Sequence, residues 1–134
     1  LLDKKSTDIV DKIISHYNLS TFDVNKIKTD KNFKIINNIF VDKENLFTWP
    51  DINNEVLLDG MCYGLKTHIG ILSDGTVVPC CLDCDGKIKL GNIFDDDLGA
   101  VLNSILCKSI IDGFNNNKAV CELCNHCDFR NRFY

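Results

Sequence analysis

The chain has 134 residues and 45% of them are hydrophobic, which is enough for a small domain with a core of its own. The net charge of −4 shows no basic excess, so we expect no nucleic-acid partner. The apolar runs are too short to span a bilayer, and no signal peptide is visible, so we expect no membrane partner. Because the chain begins with Leu1 rather than Met, we interpret it as a piece of a longer protein.

The N-terminal part is predicted to begin with a helix. Isoleucine, valine and tyrosine side chains recur at helical spacing between Ser6 and Asn18, with Ser6 as the N-cap and Asn18 as the stop. Two strands follow in this interpretation, at Phe22–Val24 and at Phe33–Val41. Residues 44–49 are predicted to form a helical turn that Pro50 ends. The domain boundary is placed within residues 51–60.

The middle of the chain predicts a β-hairpin. Apolar residues at 69–72 lead into Asp74-Gly75, a two-residue turn signal because both residue types tolerate positive φ. Residues 76–78 return as the partner strand, and Pro79 removes a backbone donor and ends the ladder. Asp85-Gly86 predicts a second turn.

The C-terminal part is predicted to be helical. One of Asp95, Asp96 and Asp97 caps a helix that runs to Ile105, and this acidic run is interpreted as a cap and solvated turn rather than a cation site. Further helical turns follow, with Ile110, Ile111 and Phe114 facing inward, and residues 115–117 form a loop. These elements give an α+β fold, with a hairpin followed by helices.

Cysteine is abundant in this chain, with eight residues or about 6%. Six of the eight fall in the two clusters CCLDC and CELCNHC, which suit a metal site better than a set of disulfides. A secreted, disulfide-linked domain remains an alternative interpretation, although no secretion signal is visible.

Four cysteines are spaced as ligands of one metal centre. Twelve residues separate Cys62 from Gly75, four more separate Gly75 from Cys80, and Cys124 and Cys127 form a distant CxxC. Soft sulfur ligands of this kind select chiefly zinc or iron–sulfur clusters. The hairpin should bring Cys62 near Cys80 if the segment after Cys62 folds back. A crosslink over the 66 residues from Cys62 to Cys127 would contribute roughly 4 kcal/mol of stability.

The remaining cysteines and the histidines are predicted to have lesser roles. We interpret the other cysteines mainly as buried or free thiols, while Cys81, Cys84 and Cys121 remain alternative or second-site ligands. Cys107 is predicted to pack within a helix. His126 could ligate zinc but is expected to lie outside the ligand set, and His16 and His68 are expected to have no site role. The aromatic residues near the ligands or in the tail could form a dry shell or ordinary core: Tyr63, Phe94, Phe129, Phe133 and Tyr134.

The stretch from Gly60 to Phe129 resembles a known family. The resemblance is carried by the segments GMCYGLKTHIGILSDGTVVPCC, LGNI and LCNHCDF. Together they resemble the SPASM domain, the auxiliary iron–sulfur module of many radical SAM enzymes. The resemblance implies that Cys62, Cys80, Cys124 and Cys127 hold one 4Fe–4S cluster. The fuller family pattern has seven cysteines, and its further spacing is not matched here, which favours a single cluster. Residues 59–134 are thus predicted to be the SPASM-like domain, and residues 1–58 resemble the end of a radical SAM barrel with its linker.

The resemblance also implies a function. The module would pass electrons, support the fold or position a substrate within a radical SAM oxidoreductase or peptide-modifying enzyme of the cytoplasm. Its partners would be the rest of that enzyme and a peptide or protein substrate. The CxxxCxxC motif that serves S-adenosylmethionine cleavage is absent, so we expect S-adenosylmethionine only in the full-length parent and no activity from this chain alone. The alternative is a zinc-binding four-cysteine interaction module, since zinc accepts all-thiolate sites at similar spacings.

Overall fold

The computed structural model describes residues 4–57 and 59–133. The chain divides into two compact units, Leu1–Leu46 and Phe47–Tyr134. Helices and small antiparallel sheets are mixed along the chain, which confirms the α+β class. Within the described ranges, none of the helices has the length and hydropathy needed to cross a membrane. The assignment of residues 1–58 to the end of a radical SAM barrel stays a prediction.

The first unit begins with helix α1, Lys4–Tyr17. The predicted helix is confirmed, but it starts before Ser6, so this serine lies within the helix rather than at its N-cap. Asn18 has a φ of 49°, a left-handed conformation that ends the helix where the sequence predicted. Val10, on the apolar stripe of α1, is buried.

A second helix, α2 at Thr21–Thr29, stands where the sequence predicted a strand. The strand assignment at Phe22–Val24 was wrong because a capping box starts a helix here. The Ser20 hydroxyl accepts the backbone N–H of Asp23 at 3.2 Å, and the Asp23 carboxylate accepts the backbone N–H of Ser20 at 3.3 Å. The helix buries Ile27 completely.

Residues 33–41 form a hairpin rather than one strand. Strand β1, Asn32–Ile36, pairs antiparallel with β2, Ile39–Asp42, and Asn37 turns the chain with a φ of 44°. The helical turn predicted at residues 44–49 is also wrong, since residues 43–50 adopt no regular secondary structure. A partner distant in sequence holds this segment, because the Asp128 carboxylate accepts the backbone N–H of Thr48 at 2.9 Å.

The second unit contains the predicted hairpin and one strand more. Strands β3 (Gly70–Ile71), β4 (Thr76–Val78) and β5 (Gly91–Asn92) form a three-stranded antiparallel sheet in that order. The hairpin loop has three residues rather than two. The N–H of Gly75 bonds Leu72 O, the N–H of Leu72 bonds Thr76 O, and Gly75 has a φ of 83°. The sequence did not predict β5.

The helices of the second unit agree with the prediction from the sequence, except that one predicted helix is divided in two. Helix α3, Leu98–Leu102, has Asp97 as its N-cap, and α4, Ile105–Asn115, has Ser104 as its own. The helix predicted to continue through Ile105 therefore ends early, and Ile105 is 89% exposed. The last elements are α5, Glu122–Asn125, and a 3₁₀ helix, Asp128–Phe133.

The core of the second unit lies directly behind the cysteines. Its buried members are Ile88, Ile110, Phe114, Ala119 and Leu123. Ile110 and Phe114 face inward on α4 as predicted, whereas Ile111, predicted with them, is only partly buried. Three partly buried cysteines, Cys62, Cys121 and Cys124, pack against this core. The hydrophobic packing that folds the unit therefore also places the thiols.

Candidate metal centre

A tight turn places Cys62 beside Cys80. The N–H of Leu65, which has a φ of 63°, bonds Pro79 O at 3.1 Å and folds the chain back as predicted. A Cβ atom added at Gly64 would lie 3.8 Å from Cys62 Sγ, 3.6 Å from Cys80 Cβ and 3.2 Å from Pro79 O. The first two cysteines thus flank one small volume, and glycine allows this close approach.

The closing cysteines reach the same region from the other end of the chain. A small, partly open cavity of about 20 Å³ has Cys80, Cys124 and Cys127 in its wall. Leu123, between the CELC cysteines, is buried in the core and orients the short helix α5. Three of the four predicted ligands therefore border one cavity, and Cys62 approaches Cys80 through Gly64.

Backbone N–H groups two or three residues downstream interact with three of the cysteines. Gly64 donates to Cys62 Sγ at 3.4 Å, and neighbouring backbone N–H groups partly offset the burial that raises the pKa of Cys80 and Cys127. Two of these neighbours, Asp83 and Arg130, donate to the carbonyls of Cys80 and Cys127, each at 3.3 Å. Such N–H donors favour the thiolate form and tune the potential of a bound cluster. The arrangement fits a cofactor that needs several deprotonated sulfurs close together.

Three of the proposed ligands, Cys80, Cys124 and Cys127, have raised pKa values that favour the protonated thiol. Burial raises the pKa of Cys80, and it raises the pKa of Cys127 to about 11; in both, nearby cysteines add to the effect and backbone N–H groups oppose it. A hydrogen bond between Cys121 and Cys124 lowers the pKa of Cys121 and raises that of Cys124, which is the more buried of the two. Cys124 therefore keeps the shared proton, and metal binding at this site must release protons.

The other cysteines differ in their surroundings. Cys107 is fully buried on α4, and its thiol donates to Val101 O at 3.2 Å, so it packs as predicted. Cys81 and Cys84 are exposed, and Cys121 is half-buried beside Cys124. Across residues 4–57 and 59–133, no three Cys, His, Asp or Glu side chains are grouped as ligands of a single metal ion.

Nδ1 of His126 is hydrogen-bonded to the backbone and is therefore not available to bind a metal. It lies 2.6 Å from Asn54 O, and because a carbonyl only accepts, Nδ1 carries the proton. The amide of Asn54 in turn donates to Trp49 O at 2.8 Å. The ring thus anchors the segment before the site to the CxxC, while His68 lies exposed with Nδ1 against the Thr67 hydroxyl.

Only some of the aromatic residues predicted to lie near the ligands are in contact with one another. The rings of Tyr63 and Phe133 meet edge to face at 4.9 Å, and those of Phe129 and Phe133 at 5.6 Å. Phe94 lies elsewhere, against Gly75 at the hairpin turn, and is 74% exposed. Tyr134 lies outside the described residues.

Sequence reasoning missed two buried charged residues beside the cysteines. Asp83 is 3% exposed, and its two carboxylate oxygens accept the backbone N–H groups of Lys87 and Ile88, each at 2.8 Å. Arg130 is 1% exposed and donates to backbone carbonyls. The Asp-Cys-Asp-Gly sequence offered a turn signal for Asp83. No sequence pattern predicted that Arg130 is buried.

A small α+β unit that brings cysteines from a hairpin and a terminal CxxC to one cavity is typical of a cysteine-rich module. Comparison with known families agrees: the model of SPASM, an iron–sulfur cluster-binding domain, matches residues 62–128. That match covers half of the chain, and the chain belongs to the SPASM family. Searches among curated proteins and among solved structures found no match to this chain.

Proposed function

We propose that Cys62, Cys80, Cys124 and Cys127 hold one 4Fe–4S cluster. The observation that carries the proposal is their convergence: three border one cavity, and Cys62 shares the space beside Gly64 with Cys80. The backbone N–H groups that interact with three of these cysteines support it, because cluster ligands must be thiolates.

We propose further that the module is an auxiliary cluster domain of a radical SAM enzyme of the cytoplasm. Its partners would be the remainder of that enzyme, which would bind S-adenosylmethionine, and a peptide or protein substrate. A cluster with four cysteine ligands leaves no iron open to a substrate. Electron transfer and structural support are therefore favoured over direct substrate binding.

A structural contribution follows from the chain's connectivity. The first and last proposed ligands enclose 66 residues, and a crosslink over that span is worth about 4 kcal/mol through the unfolded state. Domains of this size have only about 5 to 15 kcal/mol of stability in total. Loss of the cluster should therefore lower the stability of the second unit substantially.

The test is anaerobic reconstitution followed by iron and sulfide analysis and electron paramagnetic resonance. We expect about four irons and four sulfides per chain, as for one 4Fe–4S cluster. The Cys80→Ala variant should lose most of the iron. Cys84→Ala is the matched control, because Cys84 is exposed and lies in the same CCLDC cluster.

Equal iron in Cys80→Ala and wild type, or clearly fewer than four irons in both, would contradict the proposal. A colourless protein carrying one zinc after anaerobic reconstitution would instead favour the four-cysteine zinc module. Protein purified in air can lose a cluster and take up zinc, so the anaerobic sample decides.

A further inference from the structure

Arg130 is the largest fully buried side chain in the described part of the protein. Its Nη1 donates to Gly60 O at 3.0 Å, and its Nη2 donates to Leu57 O. Its Nε is buried and has no hydrogen-bond partner among the described residues. The guanidinium group is thus out of water with only two neutral carbonyl partners.

No carboxylate of the described residues lies within ion-pair distance of this guanidinium group. The ion pair found in that part of the chain joins Lys31 and Glu44 in the other unit. An arginine stays charged in proteins, and burying a cation without an anion is strongly unfavourable. Folded proteins therefore provide a buried arginine with a negative partner, and among the described side chains none is in place.

The position of Arg130 indicates where that negative charge lies. Its backbone N–H donates to Cys127 O at 3.3 Å, and its side chain donates to the carbonyl of Gly60, two residues before Cys62. The guanidinium group therefore lies within about 10 Å of the Cα atom of Cys62, because Nη1 is 3.0 Å from Gly60 O and only two peptide units join Gly60 to Cys62. It links the chain segments that carry the first and last ligands.

We propose that Arg130 is a positioning residue that also supplies the buried positive charge offsetting an anionic iron–sulfur cluster. The inference rests on the proposed function, because four thiolates give such a cluster a net negative charge, and reduction by one electron increases it. A nearby fixed cation therefore raises the reduction potential, since net charge and local electrostatics set the potential of such clusters. The same residue joins the ends of the ligand set through its hydrogen bonds to Gly60 and Leu57.

The test is a redox titration of the reconstituted chain with dithionite and mediators, followed by electron paramagnetic resonance. Arg130→Met removes the charge, and Arg130→Lys keeps it while losing the fork of donors. The matched control is Arg132→Met, two residues away in the same 3₁₀ helix, where the guanidinium stacks over Phe47 and Phe129 at 5.0 and 4.7 Å.

We expect Arg130→Met to lower the equilibrium constant for reduction at least tenfold, which for one electron is about 59 mV. Arg130→Lys and Arg132→Met should stay within threefold of wild type. A merely structural role would alter cluster retention without this charge-dependent shift in potential.

Three results would overturn the inference. They are an unchanged potential in Arg130→Met, equal shifts in the Met and Lys variants, or loss of iron from both while Arg132→Met stays loaded. Iron content separates the two proposals: a wild-type chain that takes up no iron refutes the proposed function and this inference with it. If the wild-type chain binds iron and the reduction potential is the same in all variants, only the inference about Arg130 is refuted.

Discussion

Replacing Asp83 with asparagine should destabilise the second unit, although the two side chains have nearly the same shape. The buried carboxylate accepts two backbone N–H groups, those of Lys87 and Ile88, at 2.8 Å each. An asparagine keeps one acceptor oxygen and places an NH₂ group against the other donor. One buried backbone N–H is then left unpaired, and the remaining hydrogen bond loses its assistance from charge.

The size of the effect follows from those two losses. An unpaired buried donor costs about 1–3 kcal/mol, and exchanging a charged acceptor for a neutral one costs about 1 kcal/mol more. We therefore expect Asp83→Asn to lower the free energy of unfolding by about 2–4 kcal/mol. Because the N–H groups of Leu82 and Asp83 in the same loop favour the thiolate of Cys80, the variant should retain less iron as well.

Urea unfolding of the metal-free chain, followed by fluorescence of Trp49, measures the loss. This residue is the single tryptophan of the chain and lies in the second unit, so its signal reports on the unit that contains Asp83. Asp85→Asn is the matched control, since Asp85 is exposed in the same loop and should change stability by less than about 0.5 kcal/mol. Equal stabilities for the two variants would refute the reasoning.

Three further predictions concern the core, the hairpin and the thiols. Phe114→Ala should cost about 3–5 kcal/mol of stability in the same urea assay, because Phe114 is 2% exposed; an unaltered midpoint would contradict this. Gly75→Ala should destabilise by more than about 1 kcal/mol, since φ is 83° and the new Cβ would clash with Asn92 Oδ1; thermal unfolding checks it, and an unchanged transition temperature would contradict it. Burial raises the pKa of Cys127 from 9.0 to about 11, so the folded metal-free chain holds this proton more tightly than the unfolded chain. That contribution is complete below pH 9 and lost as the pH rises towards 11, so urea midpoints should fall over this window less steeply in Cys127→Ala.

Local signals in the sequence were sufficient for several elements. The apolar spacing of α1, the Asp-Gly hairpin, Pro79 at the strand end and the Asp97 cap each act within a few residues, and the structure has them all. Two failures in the first unit were also local. The capping box at Ser20 and the turn at Asn37 were present in the sequence but were outweighed by β-branched and aromatic residues.

The sequence by itself indicated the class of the site, because clustered cysteines at these spacings suit soft metals and clusters better than a set of disulfides. Only the tertiary structure decided what surrounds the sulfurs. The carboxylate of Asp83 binds the loop after Cys80, and the guanidinium of Arg130 binds carbonyls some seventy residues earlier in the chain. Burial and pairing of a charge depend on which distant segments pack together, and no local pattern encodes that.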